Sequence, residues 1–176
     1  MNILKIIFLF FVANSVDAPT VQLDQSHKKL LVNIQGATHQ FPVNAAQGLS
    51  IDGAPSIFAG EGIHLVFSNM ADHEVATTLV LALDAKGKKL WTFDTEAFNN
   101  APPLIEKKYV YLGGIGRVYK LDAKTGSVVW RHEGLFENKA YAYNGGDPIV
   151  RKNDLIVFSP TVQVKDSSGK LVEVAK

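Results

Sequence analysis

The stretch that decides the fold is VYKLDAKTGSVVW, residues 118–130. Two runs with the alternation of β-strands, VYKL and SVVW, lie on either side of a polar turn. Asp122 can accept hydrogen bonds from backbone N–H groups two or three residues further on, which favours the turn. Gly126 can adopt the positive φ that such a turn requires. The stretch therefore predicts a β-hairpin that ends in Trp130, whose indole can bury a large area.

The same pattern recurs three more times along the chain. The other copies are VQLDQSHKKLLV (21–32), LVLALDAKGKKLW (79–91) and VQVKDSSGKLVEV (162–174). Each copy has an alternating strand, an aspartate, a short polar turn and a second strand. Their aspartates, turn glycines and one further tryptophan are Asp24, Asp84, Gly87, Trp91, Asp166 and Gly169. Self-similarity of this kind is the signature of a repeat architecture.

A further pair of strands precedes each of the last three copies. In each case a proline is followed by a short apolar strand, a turn and a second apolar strand. The complete units of four short strands are predicted at residues 54–94, 101–133 and 146–175. Segment 20–34 supplies only the last two strands of an earlier unit, with Val32 in the place of the tryptophan. Residues 36–50 and 133–145 are predicted to be connecting loops.

The hairpin at 118–130 resembles the pyrroloquinoline-quinone-type β-propeller repeat, whose consensus is apolar-Tyr-x-Leu-Asp-Ala-x-Thr-Gly-x-x-x-Trp. The resemblance implies one four-stranded blade per unit, with Trp91 and Trp130 docked against neighbouring blades. We therefore expect an all-β fold over residues 19–176, a partial β-propeller of about three and a half four-stranded antiparallel blades. The resemblance also implies a ring of eight blades, so we expect an incomplete ring that self-associates through its open blade edges.

The first 18 residues have the layout of a secretory signal peptide. Lys5 precedes an apolar run at residues 6–13, and small residues follow it. The run is too short to cross about 30 Å of hydrocarbon, and no cysteine follows it that could carry a lipid. We expect a periplasmic or secreted protein that is neither a lipoprotein nor membrane-spanning once the signal is removed.

Charge and cysteine content exclude several function classes. The 18 Lys and Arg residues balance 17 Asp and Glu residues to a net charge of +1, and no basic cluster offers a nucleic-acid site. Because the chain has no cysteine, it has no disulfide, thiolate zinc site or cysteine nucleophile. The resemblance implies vicinal cysteines and a complete ring for a quinone-dependent dehydrogenase. We therefore assign no catalytic residue and no cofactor.

Two short motifs could be mistaken for reactive sites. The GGIG run at 113–116 lies between predicted strands with no helix after it, so we interpret it as a hairpin turn rather than a phosphate loop. His64, Asp72, His73 and Glu74 have metal-binding side chains. They lack the second histidine of a helical zinc motif, and we expect a solvated hairpin loop and no metal site there.

The sequence favours a non-catalytic scaffold that binds a protein partner. Tyr141, Tyr143 and His73 are the residues that could form its contact surface, since exposed aromatic side chains are efficient anchors. The repeat family includes a scaffold subunit of the bacterial outer-membrane β-barrel assembly machinery, and that role is the closest functional analogy. Two alternatives stay open: an N-terminal fragment of a quinoprotein dehydrogenase, and a small secreted protein that binds a ligand or toxin.

Overall fold

The computed structural model describes residues 17–26, 28–43, 49–72, 74–99, 101–135 and 147–172. These residues form sixteen β-strands in four antiparallel sheets, which confirms the all-β prediction and fits a partial β-propeller. No helix in the described part is long and apolar enough to cross a membrane. Most of the predicted signal peptide and the predicted contact residues His73, Tyr141 and Tyr143 lie outside the described residues.

The first sheet consists of β1 (Thr20–Leu23), β2 (Lys29–Ile34) and β3 (Ala37–Pro42), with β2 in the middle. Gln35 and Gly36 form the turn between β2 and β3, with φ of 54° and 80°. The strand β3 corrects the prediction that residues 36–50 are only a connecting loop. It forms because the residues after the turn continue an alternating pattern and pair in register with all of β2.

The second sheet is the largest of the four. It consists of β4 (Ser50–Ile51), β5 (Ser56–Gly60), β6 (Ile63–Ala71), β7 (Ala76–Asp84) and β8 (Lys89–Asp94). The short strand β4 and the strand β5 both pair with β6, β4 at its end and β5 at its beginning. With nine residues each, β6 and β7 form a longer hairpin than β2 and β3, which have six.

The third and fourth sheets each have four strands in chain order. The third consists of β9 (Leu104–Ile105), β10 (Tyr109–Gly114), β11 (Arg117–Asp122) and β12 (Val128–His132). The fourth consists of β13 (Val150–Lys152), β14 (Leu155–Val157), β15 (Gln163–Lys165) and β16 (Lys170–Val172). Both follow the order of four short strands that the repeat predicts for one blade.

The hydrophobic core lies between consecutive sheets in three apolar clusters. The first cluster joins the first two sheets, the second joins the second and third sheets, and the third joins the last two. Because neighbouring residues of a strand point to opposite faces, the inner sheets contribute to two clusters each. Members from the two sheets at each junction include Val32 and Leu81 in the first cluster, Leu65 and Leu121 in the second, and Tyr111 and Ile156 in the third. Stacked blades are expected to bury their apolar faces in this way.

Candidate interaction surface

Three of the repeated aspartates organise the turns that follow them. Oδ1 of Asp122 accepts hydrogen bonds from the backbone N–H groups of Lys124 and Thr125 at 3.0 and 2.9 Å. Asp84 and Asp24 each accept two backbone N–H bonds of their own turns at 2.8 and 2.9 Å. These bonds favour the ionised carboxylate. The pKa of Asp122 therefore lies below its usual value, with the backbone bond from Thr125 as the main cause.

Each tryptophan lies on the turn glycine of the next sheet. A Cβ atom built on Gly126 would lie only 2.7 Å from Cδ2 of Trp91. One built on Gly169 would lie 3.1 Å from Cδ1 of Trp130. Both glycines also have positive φ, 73° and 65°, a conformation that residues with a Cβ rarely adopt. The glycines are therefore needed both for the turn and for the close approach of the indole.

His39 occupies the corresponding position at the first junction. A Cβ atom on Gly87 would overlap with the His39 ring, and His39 lies on β3. By this contact β3 corresponds to β8 and β12, the last strands of their sheets. The first sheet thus supplies the second to fourth strands of a unit, which corrects the assignment of residues 20–34 as the last two strands. Val32 does not take the place of the tryptophan, because it is a buried core residue of the middle strand.

Of the three docked rings, the one at the longest turn has a hydrogen-bond partner among the described residues. The turn before Gly126 is one residue longer than the turns before Gly87 and Gly169. Within this longer turn, the carbonyl oxygen of Ala123 accepts a hydrogen bond from Nε1 of Trp91 at 2.9 Å. The ring nitrogens buried against the two shorter turns have no partner among the described residues: Nε2 of His39 and Nε1 of Trp130.

Asp166 differs from the other repeated aspartates because its carboxylate reaches the neighbouring sheet. Nζ of Lys120 donates to Oδ1 of Asp166 at 2.6 Å, and Oδ2 accepts from Tyr111 Oη and Arg151 Nη2, each at 3.0 Å. The Lys120 side chain is 7% exposed, and its ammonium lies 3.8 Å from the centre of the Tyr109 ring. This polar cluster connects the third sheet to the fourth, and the sequence carried no signal for it.

The ionisation of Asp166 follows from these contacts. Burial alone would raise its pKa, but the hydrogen bonds from Lys120, Arg151 and Tyr111 outweigh this effect, and the pKa lies below its usual value. In the turn between β15 and β16, the carboxylate of Asp154 provides the acceptors instead. It accepts hydrogen bonds from the backbone N–H and hydroxyl of Ser167 at 3.0 and 2.6 Å. The turn is therefore kept although its repeated aspartate points elsewhere.

Most of the chain matches the model of a known protein family. A family model described as outer membrane protein assembly factor BamB matches residues 52–176. The chain belongs to this family. The matched region starts directly after β4, so in this BamB-family chain it includes the third and fourth sheets and nearly all of the second. A comparison with curated proteins gives no match.

The BamB-family chain has a shallow depression of about 390 Å³ where the second and third sheets meet at their ends. Phe98 follows β8, and Ile115 lies in the turn between β10 and β11. Arg117 and Glu96 form an ion pair beside them. The complete lining consists of Ala76, Glu96, Ala97, Phe98, Ile115, Gly116, Arg117 and Gly134. The depression thus combines apolar side chains with one pair of opposite charges.

Backbone contacts hold the two walls of this depression together. The N–H of Ile115 donates to the carbonyl of Phe98 at 2.9 Å, and Oη of Tyr119 donates to the carbonyl of Thr95 at 2.6 Å. Residues 114 and 117 pair across the β10–β11 hairpin, which confirms the interpretation of the GGIG run as a turn. A Cβ atom on Gly114 would lie 3.1 Å from Cβ of Ala97 and 3.2 Å from the carbonyl oxygen of Phe98, so a larger residue would have to displace this wall.

The described members of the candidate metal site, His64, Asp72 and Glu74, lie in different parts of the β6–β7 hairpin. Asp72 accepts hydrogen bonds from the N–H groups of Glu74 and Val75, both at 2.7 Å, and so organises the β6–β7 turn. His64 lies within β6, where burial lowers its pKa although the charge of Asp84 opposes this. In the part of the chain that the structure describes, no three His, Asp or Glu side chains lie close enough together to hold a metal ion.

Proposed function

We propose that this chain is a non-catalytic scaffold of the bacterial envelope that binds a partner protein during outer-membrane protein assembly. The observation that carries the proposal is the family match over residues 52–176 to an outer membrane protein assembly factor. A signal-like N-terminus supports an envelope location. Because propeller folds serve many functions, the role of this chain depends on the surface it presents.

The depression between the second and third sheets is the surface that fits this role best. Its apolar members, Phe98 and Ile115, are half-buried, and Val75 beside it is 52% exposed. An apolar side chain of a partner would be removed from water here, while Arg117 and Glu96 would orient a polar group at the rim. The hydrogen-bonded walls would change little on binding, which limits the entropic cost of association.

Photo-crosslinking in the native bacterium tests this proposal. A photoreactive phenylalanine analogue replaces Ile115 in one variant and Thr38, an exposed residue of the first sheet, in the control. We expect a discrete adduct with an envelope protein at position 115, and none at position 38. An Arg117→Glu change in the first variant should reduce the adduct. The same pattern of adducts at both positions, or no adduct at position 115, would contradict the proposal.

A further inference from the structure

A second cavity, of about 170 Å³, lies between the first and second sheets. The first sheet contributes Leu30 and Phe41 to its walls, and the second sheet contributes Met70, Leu79 and Leu81. The cavity occurs where the nine-residue strands β6 and β7 face the six-residue strands β2 and β3. Protein interiors are close-packed and contain few voids of this size, so the cavity is a candidate binding site for a small molecule.

Two polar side chains of the lining have no partner among the described residues. Ser68 is 2% exposed, and its buried Oγ makes no hydrogen bond. Lys89 also lines the cavity but is exposed to solvent, and its ammonium makes no ion pair with the described residues. A buried hydroxyl without a partner is unfavourable, and a cation beside an apolar cavity favours a guest of opposite charge.

We propose that this cavity binds an aliphatic carboxylate, with the alkyl chain between the sheets and the carboxylate at Lys89. An apolar cavity of about 150 Å³ accepts benzene, so this one accommodates a chain of about six to eight carbons. A polar atom of the guest, or a water bound with it, supplies the missing partner of Ser68. The two ends of the cavity thus differ: one recognises charge, and the other receives an apolar chain.

Met70 allows this proposal to be tested at one atom. It is the only methionine besides Met1, so methyl-13C-methionine labelling of the full chain places one NMR probe in the cavity wall. We expect sodium octanoate to shift the Met70 methyl signal saturably. Lys89→Gln, which adds no methionine, should weaken octanoate binding about two- to five-fold, the range of an exposed ion pair. Octanol, which has the same chain without the charge, should bind equally to both proteins.

Two control variants decide between this site and non-specific binding. Lys107→Gln removes an exposed lysine between β9 and β10 and should leave octanoate binding unchanged. Leu79→Trp fills the cavity and should abolish the response to both probes, provided that thermal unfolding shows a folded protein. An unchanged Met70 signal at millimolar octanoate would overturn the proposal. Equal effects of the Lys89 and Lys107 variants would overturn it as well.

Discussion

Gly126 lies where the ring of Trp91 meets the turn of the next sheet, and a single Cβ atom there would force the two apart. The junctions between sheets depend on the absence of a side chain at the turn glycine as much as on the bulky ring that packs against it. The same arrangement recurs with His39 on Gly87 and with Trp130 on Gly169. Different rings are tolerated at this position, whereas each of the turns keeps its glycine.

Replacement of Gly126 by alanine should destabilise the protein more than the same change at Gly36. Both glycines have positive φ, 73° and 80°, so each substitution costs about 1–2 kcal/mol for the left-handed conformation. Only Gly126 faces a ring, since no atom lies within 4 Å of a Cβ on Gly36, and overpacking should cost about 1–3 kcal/mol more. Urea unfolding measures the difference. An equal loss in the two variants would show that the ring contact is unimportant.

The two tryptophans should respond differently to replacement by phenylalanine. Trp91→Phe leaves the carbonyl of Ala123 without its donor, whereas Trp130 has no such partner among the described residues. Loss of a buried hydrogen bond costs about 1–3 kcal/mol, so Trp91→Phe should lower the free energy of unfolding by that much more. Chemical denaturation of both variants provides the comparison. If Trp130→Phe were as costly, the difference in turn length would have no energetic effect.

Among the strands, the fourth strand of a sheet controls where the tryptophan points. The pairing of β7 with β8 shifts register between Ala82 and Leu83, and that of β11 with β12 shifts between Lys120 and Leu121. Each shift leaves one extra residue directly before the tryptophan, and such bulges redirect side chains. The fourth sheet pairs without a shift between β15 and β16 and has no tryptophan there. The bulge and the tryptophan therefore occur together.

The ion pair between Lys120 and Asp166 should be costly to break from one side. Asp166→Ala leaves the Lys120 ammonium buried without its partner, and we expect a loss of about 3–5 kcal/mol in the free energy of unfolding. Replacing both residues, with Lys120→Met and Asp166→Ala, should restore much of that loss because no buried charge remains. A double-mutant cycle by urea unfolding tests this. Additive losses in the double variant would contradict the assigned contact.

The effect of Asp166 should also depend on pH. Because its pKa in the folded protein lies below the usual value of 3.8, its contribution is present above that value. This stabilisation by Asp166 is lost as the pH falls through the lower pKa that its carboxyl group has in the folded protein. The difference in stability between the wild type and Asp166→Ala should therefore shrink as the pH falls from about 5 to about 2. A difference that stays constant over this range would show that the carboxylate charge is not responsible.

The sequence predicts strands and turns well where the local pattern is strong. The hairpin at 118–130 carries alternation, an aspartate and a glycine together, and so predicts its own structure. The strand β3 is not predicted because half of its sequence, ATHQFP, is polar, it ends in proline, and it has no aspartate directly before it. The contact between Lys120 and Asp166 joins residues that are 46 positions apart. It depends on which sheet faces which, and local patterns do not contain that information.

The whole molecule is a stack in which position determines how much of each sheet is covered. The second and third sheets pack against a neighbour on both faces, while the first and fourth take part in one cluster each. Val150 and Leu171 of the fourth sheet are each 40% exposed, and Val128 and Val129 on the edge strand β12 of the third sheet are 44% and 49% exposed. Stability in such stacks is expected to come from contacts between neighbours. The inner sheets should therefore be the most stable part, and the rigid depression lies between them.

Native-state hydrogen exchange tests the stacked arrangement most directly. The strands β2, β7, β11 and β15 each pair with a neighbour on both sides, so they differ mainly in how their faces are covered. We expect the amides of β7 and β11 to exchange most slowly. Their hydrogen bonds break only when the sheet that contains them separates from the neighbouring sheet on each of its two faces. Amides of β2 and β15 should exchange faster under the same conditions. Protection of β2 or β15 equal to or greater than that of β7 and β11 would contradict the stacked arrangement.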